Sequence, residues 1–412
     1  MNRNQKIEQG KGFRATAAVL ALFLVAAILI VSLSSCDLLG LGGGGASTTS
    51  GTAAASMTRP DTTLAIAVTQ YYTPAPAPDD AGTYAYTAAV ASPSVVSITT
   101  EAISYSGAYV QSGAGSGVIF YADETHTYII TNNHVIEGAS KVKIFTNAPD
   151  CPGYSAEVMG TDWMTDIAVV RIKKTGLTVA TIGNSEELKL GQEVAAIGNP
   201  LGTLGGTVTD GIVSCLAREI TVEGVTMTLI QHSAGVSPGN SGGGLFNLYG
   251  QLIGIVNAKS SGSGVEDIGF AIPVDIAIDR ALQLTNKGYV SGTPFLGLEF
   301  AQTSNYGLVV SSYAYNDDLS ATGQDTIAAG HILNSINGKA IGGVSDIRAV
   351  LCSAKPGDTL TAVLLKPTSN GFFTSYSQYT VTIKVHEYVP SGTADTETPS
   401  NDGETDDDIN FN

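Results

Sequence analysis

The chain has 412 residues, a net charge of −17 and 43% hydrophobic residues. This length is enough for two or three domains, and its 48 glycines, with many Val, Ile and Thr residues, favour β-structure with frequent turns. An acidic protein does not attract polyanions, so the charge argues against nucleic acid or an anionic membrane surface as a partner. The cysteines and histidines show no metal-ligand spacing, and neither a metal nor a cofactor is predicted.

The N-terminal segment predicts attachment to a membrane. Residues 1–14 form a basic tail, and residues 15–35 contain an apolar run long enough to span a bilayer. The positive charge keeps the N-terminus in the cytoplasm and places the following chain outside. Two interpretations stay open, a retained transmembrane signal anchor or a lipoprotein signal, because Leu33-Ser34-Ser35-Cys36 resembles a bacterial lipobox with Cys36 as the lipidated residue. Both predict a bacterial cell-membrane protein whose main part is extracytoplasmic.

Composition divides the rest of the chain into four segments. Residues 36–83 are rich in Gly, Ser, Thr, Ala and Pro and are predicted to be a flexible linker. Residues 84–288 carry short strand-like runs broken by turn residues, which predicts one large β-domain, a barrel or a sandwich, closed by a helix. Residues 289–388 are predicted to form a small α+β domain, and residues 389–412 an acidic, disordered tail.

Individual elements follow from periodicity. The strand-like runs of the β-domain are Val95–Ile98, Gly117–Phe120, Tyr128–Ile130, Val142–Phe145, Asp166–Ile172, Glu193–Ile197, Thr226–Ile230, Leu252–Val256 and Gly269–Ile272. A helix is predicted over Asp275–Thr285, with Gly288 as its end. The runs of the second domain are Gly307–Ser311, Ile332–Ile336, Leu360–Leu365 and Tyr379–Val385, with a helix at Val344–Cys352.

A serine between glycines is the first candidate for chemistry. The stretch from Ser237 to Gly243 reads SPGNSGG and precedes a hydrophobic strand. A serine hydroxyl becomes a nucleophile when a base takes its proton and amide donors hold the oxyanion. Glycines beside Ser241 let the backbone turn its N–H groups inward and leave room for a substrate chain. Without partners, the stretch is equally consistent with a Gly-rich turn.

Two upstream residues supply the partners that Ser241 needs. His134 follows a strand-like run, and a neutral histidine is a natural general base for a serine. Asp166 leads into an apolar strand, and a buried carboxylate must be paired, which orienting an imidazole would achieve. Asp162 is a rival, but the strand after Asp166 would carry that residue toward the core. The order His, Asp, Ser is one of the few known for a catalytic triad, and it predicts a cleft between two β-barrels.

Seven stretches, taken together, resemble the HtrA/DegP-like proteases, trypsin-fold serine peptidases that carry PDZ domains. They are GSGVIF (115–120), TNNHVIEGA (131–139), GTDWMTDIAVVRI (160–172), GQEVAAIGNPLG (191–202), TVTDGIVS (207–214), SPGNSGGGLFN (237–247) and IGFAIPVD (268–275). The resemblance implies a mainly β chain with a trypsin-like double β-barrel and an α+β PDZ domain. It also implies a homotrimer that cleaves misfolded or exposed proteins.

The resemblance implies a role for each residue of the triad and its surroundings. His134 would act as general base, Asp166 would orient it, and Ser241 would attack the scissile carbonyl. The backbone N–H groups of Gly239 and Ser241, with Asn240 between them, would form the oxyanion hole.

The specificity pocket departs from the family pattern. Gly235 falls at the floor of the primary pocket, and without an acidic residue there the resemblance implies a small or medium apolar side chain before the cut. His232-Ser233-Ala234-Gly235 stands where the family usually has Thr-Asp-Ala-Ala, and Gly244 stands in place of a proline. Specificity and loop rigidity therefore stay open. His232 is interpreted as a pocket-edge or packing residue, since the triad is complete without it.

The C-terminal domain looks like a PDZ domain. Phe295-Leu296-Gly297-Leu298 resembles a carboxylate-binding loop, whose N–H groups hold a peptide C-terminus while the peptide adds a strand to the sheet edge. ILNSINGKAI (332–341) and KPGDTL (355–360) match later strands, and His331 stands where an aspartate is common. An inert structural spacer is the alternative for this domain. For the whole chain, the alternative to a serine endopeptidase is a peptide-binding holdase with minor proteolysis, and the complete triad favours the enzyme.

Overall fold

A computed structural model of the protein describes residues 80–104, 107–148, 151–199, 206–237, 239–257, 268–303, 307–313, 327–369 and 373–390. The basic tail, the apolar segment with Cys36 and nearly all of the linker lie outside these residues, as does the acidic tail from residue 391. The predictions made for those segments stay predictions. Among the helices within the described ranges, none is long and apolar enough to cross a membrane.

The first β-barrel is built from six strands. They are β1 (Val95–Ile103), β2 (Tyr109–Ala122), β3 (Thr127–Asn132), β4 (Lys141–Phe145), β5 (Tyr154–Asp162) and β6 (Ile167–Ile172). They close into a ring in the order β1-β2-β3-β6-β5-β4. Because a strand turns every second side chain to the same face, branched side chains such as Ile98, Ile129 and Val170 gather in one fully buried cluster.

The second β-barrel contains the remaining strands of the β-domain. They are β7 (Thr181–Ile182), β8 (Glu193–Gly198), β9 (Thr207–Val222), β10 (Val225–His232), β11 (Gly244–Asn247), β12 (Gln251–Val256) and β13 (Gly269–Pro273). The sheet runs β11-β8-β9-β10-β13-β12-β7, and β11 also pairs with β12. Six strands therefore form a closed ring, and the mainly β, double-barrel architecture is confirmed.

Each strand predicted for the β-domain is present, but β5, β9 and the two-residue β7 were not predicted. Strands β5 and β9 contain residues that are uncommon in strands, such as Gly160 in β5 and the Asp210-Gly211 pair in β9. The predicted strand Asp166–Ile172 begins one residue later, because Asp166 belongs to the preceding turn. The hydrophobic pattern located the more apolar strands of the two barrels and missed the more polar ones.

The described residues form four α-helices: α1 (Tyr84–Ala91), α2 (Asn133–Ile136), α3 (Val274–Lys287) and α4 (Val344–Leu351). The helices predicted near 275–285 and 344–352 are confirmed as α3 and α4. Gly288 ends α3 with a left-handed φ of 82°, which glycine adopts without strain. Helix α1 was not predicted, because its sequence YAYTAAVA shows no polar face. Its N-cap is Thr83, whose side chain accepts the N–H of Tyr86 at 3.1 Å.

The C-terminal domain is a sheet covered by α4. Its strands are β14 (Pro294–Phe295), β15 (Leu298–Thr303), β16 (Gly307–Tyr313), β17 (Ile332–Ile336), β18 (Lys339–Ala340), β19 (Thr359–Ser369), β20 (Thr374–Lys384) and β21 (His386–Glu387). The sheet order is β15-β16-β17-β19-β20, and β14 pairs separately with β21. His331 is buried, its Nδ1 lies 2.7 Å from the Tyr379 hydroxyl, and burial lowers its pKa.

Helix α4 also contacts the β-domain. Arg348 forms ion pairs with Glu137 and, at 3.4 Å, with Glu223. Its guanidinium lies 5.9 Å from the centre of the Trp163 ring, and Trp163 packs against the apolar core of the C-terminal domain. At Gly224, an added Cβ would come within 2.0 Å of a backbone oxygen of α4. The contact therefore combines charge pairing with close packing.

Reversal of the charge at Arg348 is predicted to weaken this contact. Arg348→Glu would place a carboxylate between Glu137 and Glu223 and should destabilise the docking of the domains by about 1–2 kcal/mol. Scanning calorimetry should show the unfolding of the C-terminal domain at a lower temperature. The control is Arg218→Glu, the same change at an exposed site on β9. Identical calorimetric traces for the two variants would contradict the prediction.

Candidate active site

His134 lies in α2, a single turn of helix that directly follows β3. All six residues of β3 are buried, so the strand is fixed in the barrel wall and holds α2 at its end. The other three residues of α2 are also buried, whereas 18% of the His134 side chain is exposed. The imidazole therefore has a rigid base and a reactive edge that remains accessible.

Asp166 ends the turn that joins β5 to β6. Its φ of 57° lies in the left-handed region, which aspartate tolerates better than most residues because its short polar side chain bonds locally. Its carbonyl oxygen accepts the N–H of Asn133 at 3.0 Å and the side-chain amide of Asn132 at 3.1 Å. These two bonds tie the Asp166 turn to the segment that carries His134.

The structure brings His134, Asp166 and Ser241 together. The Nδ1 atom of His134 lies 2.6 Å from Oδ2 of Asp166, and its Nε2 atom lies 3.1 Å from the Ser241 hydroxyl. The second carboxylate oxygen of Asp166 accepts the backbone N–H of His134 at 2.9 Å. An ionised carboxylate can only accept, so it favours the tautomer with the proton on Nδ1. That tautomer leaves Nε2 able to take the proton of Ser241.

Asn257 completes the surroundings of the Asp166 carboxylate. Its side-chain amide donates to Oδ2 at 3.0 Å, and the residue is fully buried directly after β12. No role was predicted for Asn257 or Asn132 from the sequence. The only available signal was a polar residue directly beside an apolar strand, and many turn residues share that signal. Asn257, from the second barrel, therefore binds the carboxylate of Asp166, which pairs with His134 in the first barrel.

Asp162, the rival carboxylate, is engaged within its own turn. It accepts the N–H of Met164 at 3.1 Å and the hydroxyl of Thr165 at 2.5 Å. Its oxygen lies 3.8 Å from Nε of Arg280. Only 2% of Asp162 is exposed. Burial therefore raises the pKa of its carboxyl, although the hydrogen bonds and Arg280 act in the opposite direction. The preference for Asp166 as the partner of His134 agrees with this geometry.

A tight turn precedes Ser241 in the nucleophile loop, residues 237–243. The N–H of Asn240 donates to the carbonyl of Ser237 at 3.0 Å. Gly239 has a φ of 102°, a left-handed value that glycine adopts without strain. Neither Gly239 nor Ser241 donates its N–H to any residue that the structure describes. These two donors are available to a ligand, whereas that of Asn240 is used in the turn.

The glycines after Ser241 follow from close packing. Gly242 has a φ of 81°, and a Cβ there would come within 2.2 Å of the carbonyl of Ser116. Gly244, which replaces the proline of the family pattern, is the first residue of β11 and pairs with Ile197 on one side and Ile255 on the other. Strand pairing on both sides therefore holds Gly244 where a proline would have restricted the backbone.

The region predicted as the primary pocket is open at Gly235. This glycine is exposed, and Thr209 alone, apart from chain neighbours, has described heavy atoms within 4 Å of the position of an added Cβ. The hydroxyl of Thr209 donates to the Gly235 carbonyl at 2.8 Å. The surface at Gly235 is therefore open, and no charged side chain lies within 4 Å of this position among the described residues.

His232 lies behind this region and is completely buried. Its ring fills the space above Gly269, where an added Cβ would come within 2.3 Å of the ring and 2.8 Å of Val236. Neither ring nitrogen has a hydrogen-bond partner of good geometry among the described residues. Burial lowers the pKa of His232 to about 4, although backbone groups of Phe270 and Ala234 act in the opposite direction. His232 is a neutral packing residue at pH 7.

The loop predicted to bind a peptide carboxylate connects β14 to β15. Leu296 and Leu298 are buried in the core of the C-terminal domain, and Phe295 packs edge-on against Tyr388 at 5.5 Å. Gly297 has a φ of 72°. The N–H groups of Leu296 and Gly297 donate to no described residue, and β15 is an edge strand. The loop therefore offers two donors beside a sheet edge on which no further described strand pairs.

Comparison with known proteins agrees with this geometry. Residues 115–255 match the model of the trypsin-like peptidase domain, and the chain contains such a domain. The serine protease Do-like HtrB of Bacillus subtilis (strain 168) is 38% identical over 276 residues, 61% of this chain and 59% of the relative. The periplasmic pH-dependent serine endoprotease DegQ of Escherichia coli (strain K12) is 37% identical over 265 residues, 62% of this chain and 57% of the relative. The chain is a homologue of the HtrA/DegP serine proteases.

The extent of these matches is limited. The chain covers 59% and 57% of the lengths of the two relatives. The solved serine endoprotease from Yersinia pestis is 30% identical, and the match covers 74% of this chain and 98% of that structure, with a TM-score of 0.45.

The buried His232 is predicted to make stability depend on pH. Its pKa is about 4 in the folded protein and 6.5 ordinarily. Below pH 6.5 the unfolded chain therefore binds a proton that the folded protein does not. Stability should fall by up to about 3 kcal/mol as the pH decreases from 6.5 to 4, and no further below.

Urea denaturation at several pH values measures this effect. His232→Leu should remove most of the loss while matching or exceeding the wild-type stability at pH 7, because it removes two unpaired buried nitrogens. His126→Leu, at a partly exposed histidine, controls for the loss of one titratable group. An equal pH dependence in the wild type and His232→Leu would contradict the prediction.

Proposed function

We propose that this chain is a serine endopeptidase that hydrolyses peptide bonds of misfolded or exposed proteins outside the cytoplasm. The observation that carries the proposal is the pair of contacts that His134 makes. Its Nδ1 lies 2.6 Å from the carboxylate of Asp166, and its Nε2 lies 3.1 Å from the hydroxyl of Ser241. Its homology to proteins named as serine proteases supports the same reaction.

Acylation begins when Ser241 attacks the carbonyl carbon of the substrate. The Nε2 atom of His134 takes the hydroxyl proton, and Asp166 stabilises the imidazolium that forms. As the carbonyl carbon becomes tetrahedral, its oxygen gains negative charge, and the N–H groups of Gly239 and Ser241 donate to that oxygen. His134 then gives its proton to the leaving amine, and an acyl group remains on Ser241.

Deacylation uses the same groups with water as the nucleophile. His134 takes a proton from the water, which attacks the acyl carbon, and the oxyanion forms again beside Gly239 and Ser241. The proton returns to Ser241 as the acid product leaves. Every proton transfer passes through Nε2, which Asp166 keeps oriented by its bonds to Nδ1 and to the backbone of His134.

Substrate selection is proposed to involve two separate surfaces. The open space at Gly235 supports a small or medium apolar side chain before the scissile bond. The free donors of Leu296 and Gly297 support binding of a peptide C-terminus at the loop 295–298, with the peptide adding a strand to β15. Binding of that peptide is proposed to deliver a substrate to the protease or to activate it.

The setting of the enzyme is also a proposal. The apolar segment 15–35 supports tethering to a cell membrane, either as a single-pass helix or through lipid on Cys36. The word periplasmic in the name of one relative supports an extracytoplasmic catalytic domain. A homotrimer is proposed from the family resemblance. Intact mass of the purified protein would distinguish the two anchors, and light scattering would give the number of subunits.

Substitutions in the triad are predicted to abolish cleavage of an unfolded protein such as casein. Ser241→Ala should lower kcat by about ten-thousand-fold or more, and Asp166→Asn by about ten-thousand-fold, because each removes a group that acts in the transition state. The matched control is Asp162→Asn, the same change four residues away, with an expected loss below about tenfold. Ser155→Ala, at an exposed serine of β5, controls for Ser241→Ala.

The outcome separates two functions. Cleavage that survives Ser241→Ala would disprove the proposed enzyme, and an Asp162→Asn loss equal to that of Asp166→Asn would reassign the acid. A wild type that binds unfolded protein and never cleaves it would favour a peptide-binding holdase.

Peptide binding at the C-terminal domain is predicted to require a free carboxylate. With Ser241→Ala protein, a fluorescent peptide that ends in valine should bind at least about tenfold more tightly than its C-terminal amide, as measured by polarisation. Gly297→Ala should weaken binding, because its φ of 72° orients the donors. Gly338→Ala, at a φ of 77° in the turn between β17 and β18, is the control. Equal binding of acid and amide would leave this domain as a spacer.

A further inference from the structure

Ser116, on β2, lies directly beneath the nucleophile loop and is completely buried. Its backbone N–H donates to the carbonyl of Ser241 at 2.8 Å. Its hydroxyl donates to the carbonyl of Gly239 at 2.6 Å and accepts the N–H of Asn199 at 2.8 Å. Ser116 therefore bonds to both residues whose N–H groups face a ligand.

The direction of the hydroxyl bond follows from its chemistry. A hydroxyl has one proton and accepts with its lone pairs. Because the N–H of Asn199 occupies the oxygen as a donor, the proton of Ser116 must point to the other contact, the carbonyl of Gly239. Hydrogen bonds in such a chain strengthen one another. The position of the Gly239 carbonyl is therefore fixed from β2 through Ser116.

We propose that Ser116 is a positioning residue for the oxyanion hole. Gly239 and Ser241 come from a loop of the second barrel, whereas Ser116 and His134 belong to the first. By holding the carbonyls of Gly239 and Ser241, Ser116 anchors the two peptide units that flank the one carrying the Ser241 N–H. The first anchored unit also directly follows the Cα of Gly239, so Ser116 restrains the spacing of the two N–H donors and their alignment with His134. A site that stabilises a transition state must hold its donors in place before the reaction. This inference rests on the proposed peptidase function.

The expected consequence is specific to the transition state. Ser116→Ala removes the bond to the Gly239 carbonyl and keeps the backbone bond to Ser241, so the peptide unit that links the two donor residues loses its side-chain support. We expect kcat to fall about tenfold to a hundredfold, less than for the loss of a whole donor. KM should change less than about twofold, because the hole acts chiefly on the developing oxyanion. The midpoint of the pH–rate profile should stay unchanged, because Ser116 contacts neither His134 nor Asp166.

The chain offers a matched control on the neighbouring strand. Ser97 pairs directly with Ser116 across β1 and β2, and it is equally buried. Its hydroxyl has no partner among the described residues. Ser97→Ala is therefore the same substitution in the same layer without loss of a hydrogen bond. The thiol of Ser116→Cys is a weaker donor than a hydroxyl, so the kcat of this variant should lie between those of Ser116→Ala and the wild type.

The experiment measures kcat and KM of the full-length protein on an internally quenched peptide, with each active concentration set by titration with a fluorophosphonate. The inhibition constant of a peptide boronic acid, which forms a tetrahedral adduct on a serine, is measured beside them. For Ser116→Ala, the inhibition constant of the boronic acid should rise by the same factor by which kcat falls.

Three results would overturn the inference while the peptidase function stands. They are a kcat within about threefold of that of Ser97→Ala, a loss carried by KM alone, or a shifted pH midpoint. A wild type that neither reacts with the fluorophosphonate nor cleaves the peptide would instead disprove the proposed function itself.

Discussion

A carboxylate buried among β-strands must be matched by hydrogen-bond donors, and this requirement organises the candidate active site. Asp166 is only 8% exposed, and it receives donors from both barrels: the backbone and imidazole of His134 from the first and the amide of Asn257 from the second. Because an unpaired buried charge is strongly unfavourable, these contacts keep the two barrels in one relative position. The same contacts leave Nε2 of His134 directed at Ser241.

The other half of the site is built on backbone geometry. The N–H groups proposed to hold the oxyanion belong to Gly239 and Ser241, and their arrangement depends on a positive φ at Gly239 and on carbonyls that are bonded to Ser116. Side-chain chemistry thus fixes the proposed base and its acid, while turn geometry fixes the proposed oxyanion donors. The two halves meet at Ser241, the only residue that contributes a side chain to one and an N–H to the other.

The sequence predicted the parts of this site that depend on residue type. His134, Asp166 and Ser241 were recognisable because few side chains serve as base, orienting acid and nucleophile, and because their order is restricted. Asn257 and Ser116 were not recognisable, because amides and hydroxyls are common and their partners here are set by which strands become neighbours. For the same reason the apolar runs located most barrel strands, whereas α1 and β9, without a clear period, became evident only from the structure.

The turn that carries Asp166 also touches the C-terminal domain. Trp163, three residues before Asp166, packs against that domain and lies near Arg348, and it is the only tryptophan of the chain. Its indole emission therefore originates from a single place, a short segment that contains Asp166 and contacts the neighbouring domain. Intrinsic fluorescence is consequently a built-in optical probe of this junction, and it needs no attached dye to follow events between the two domains.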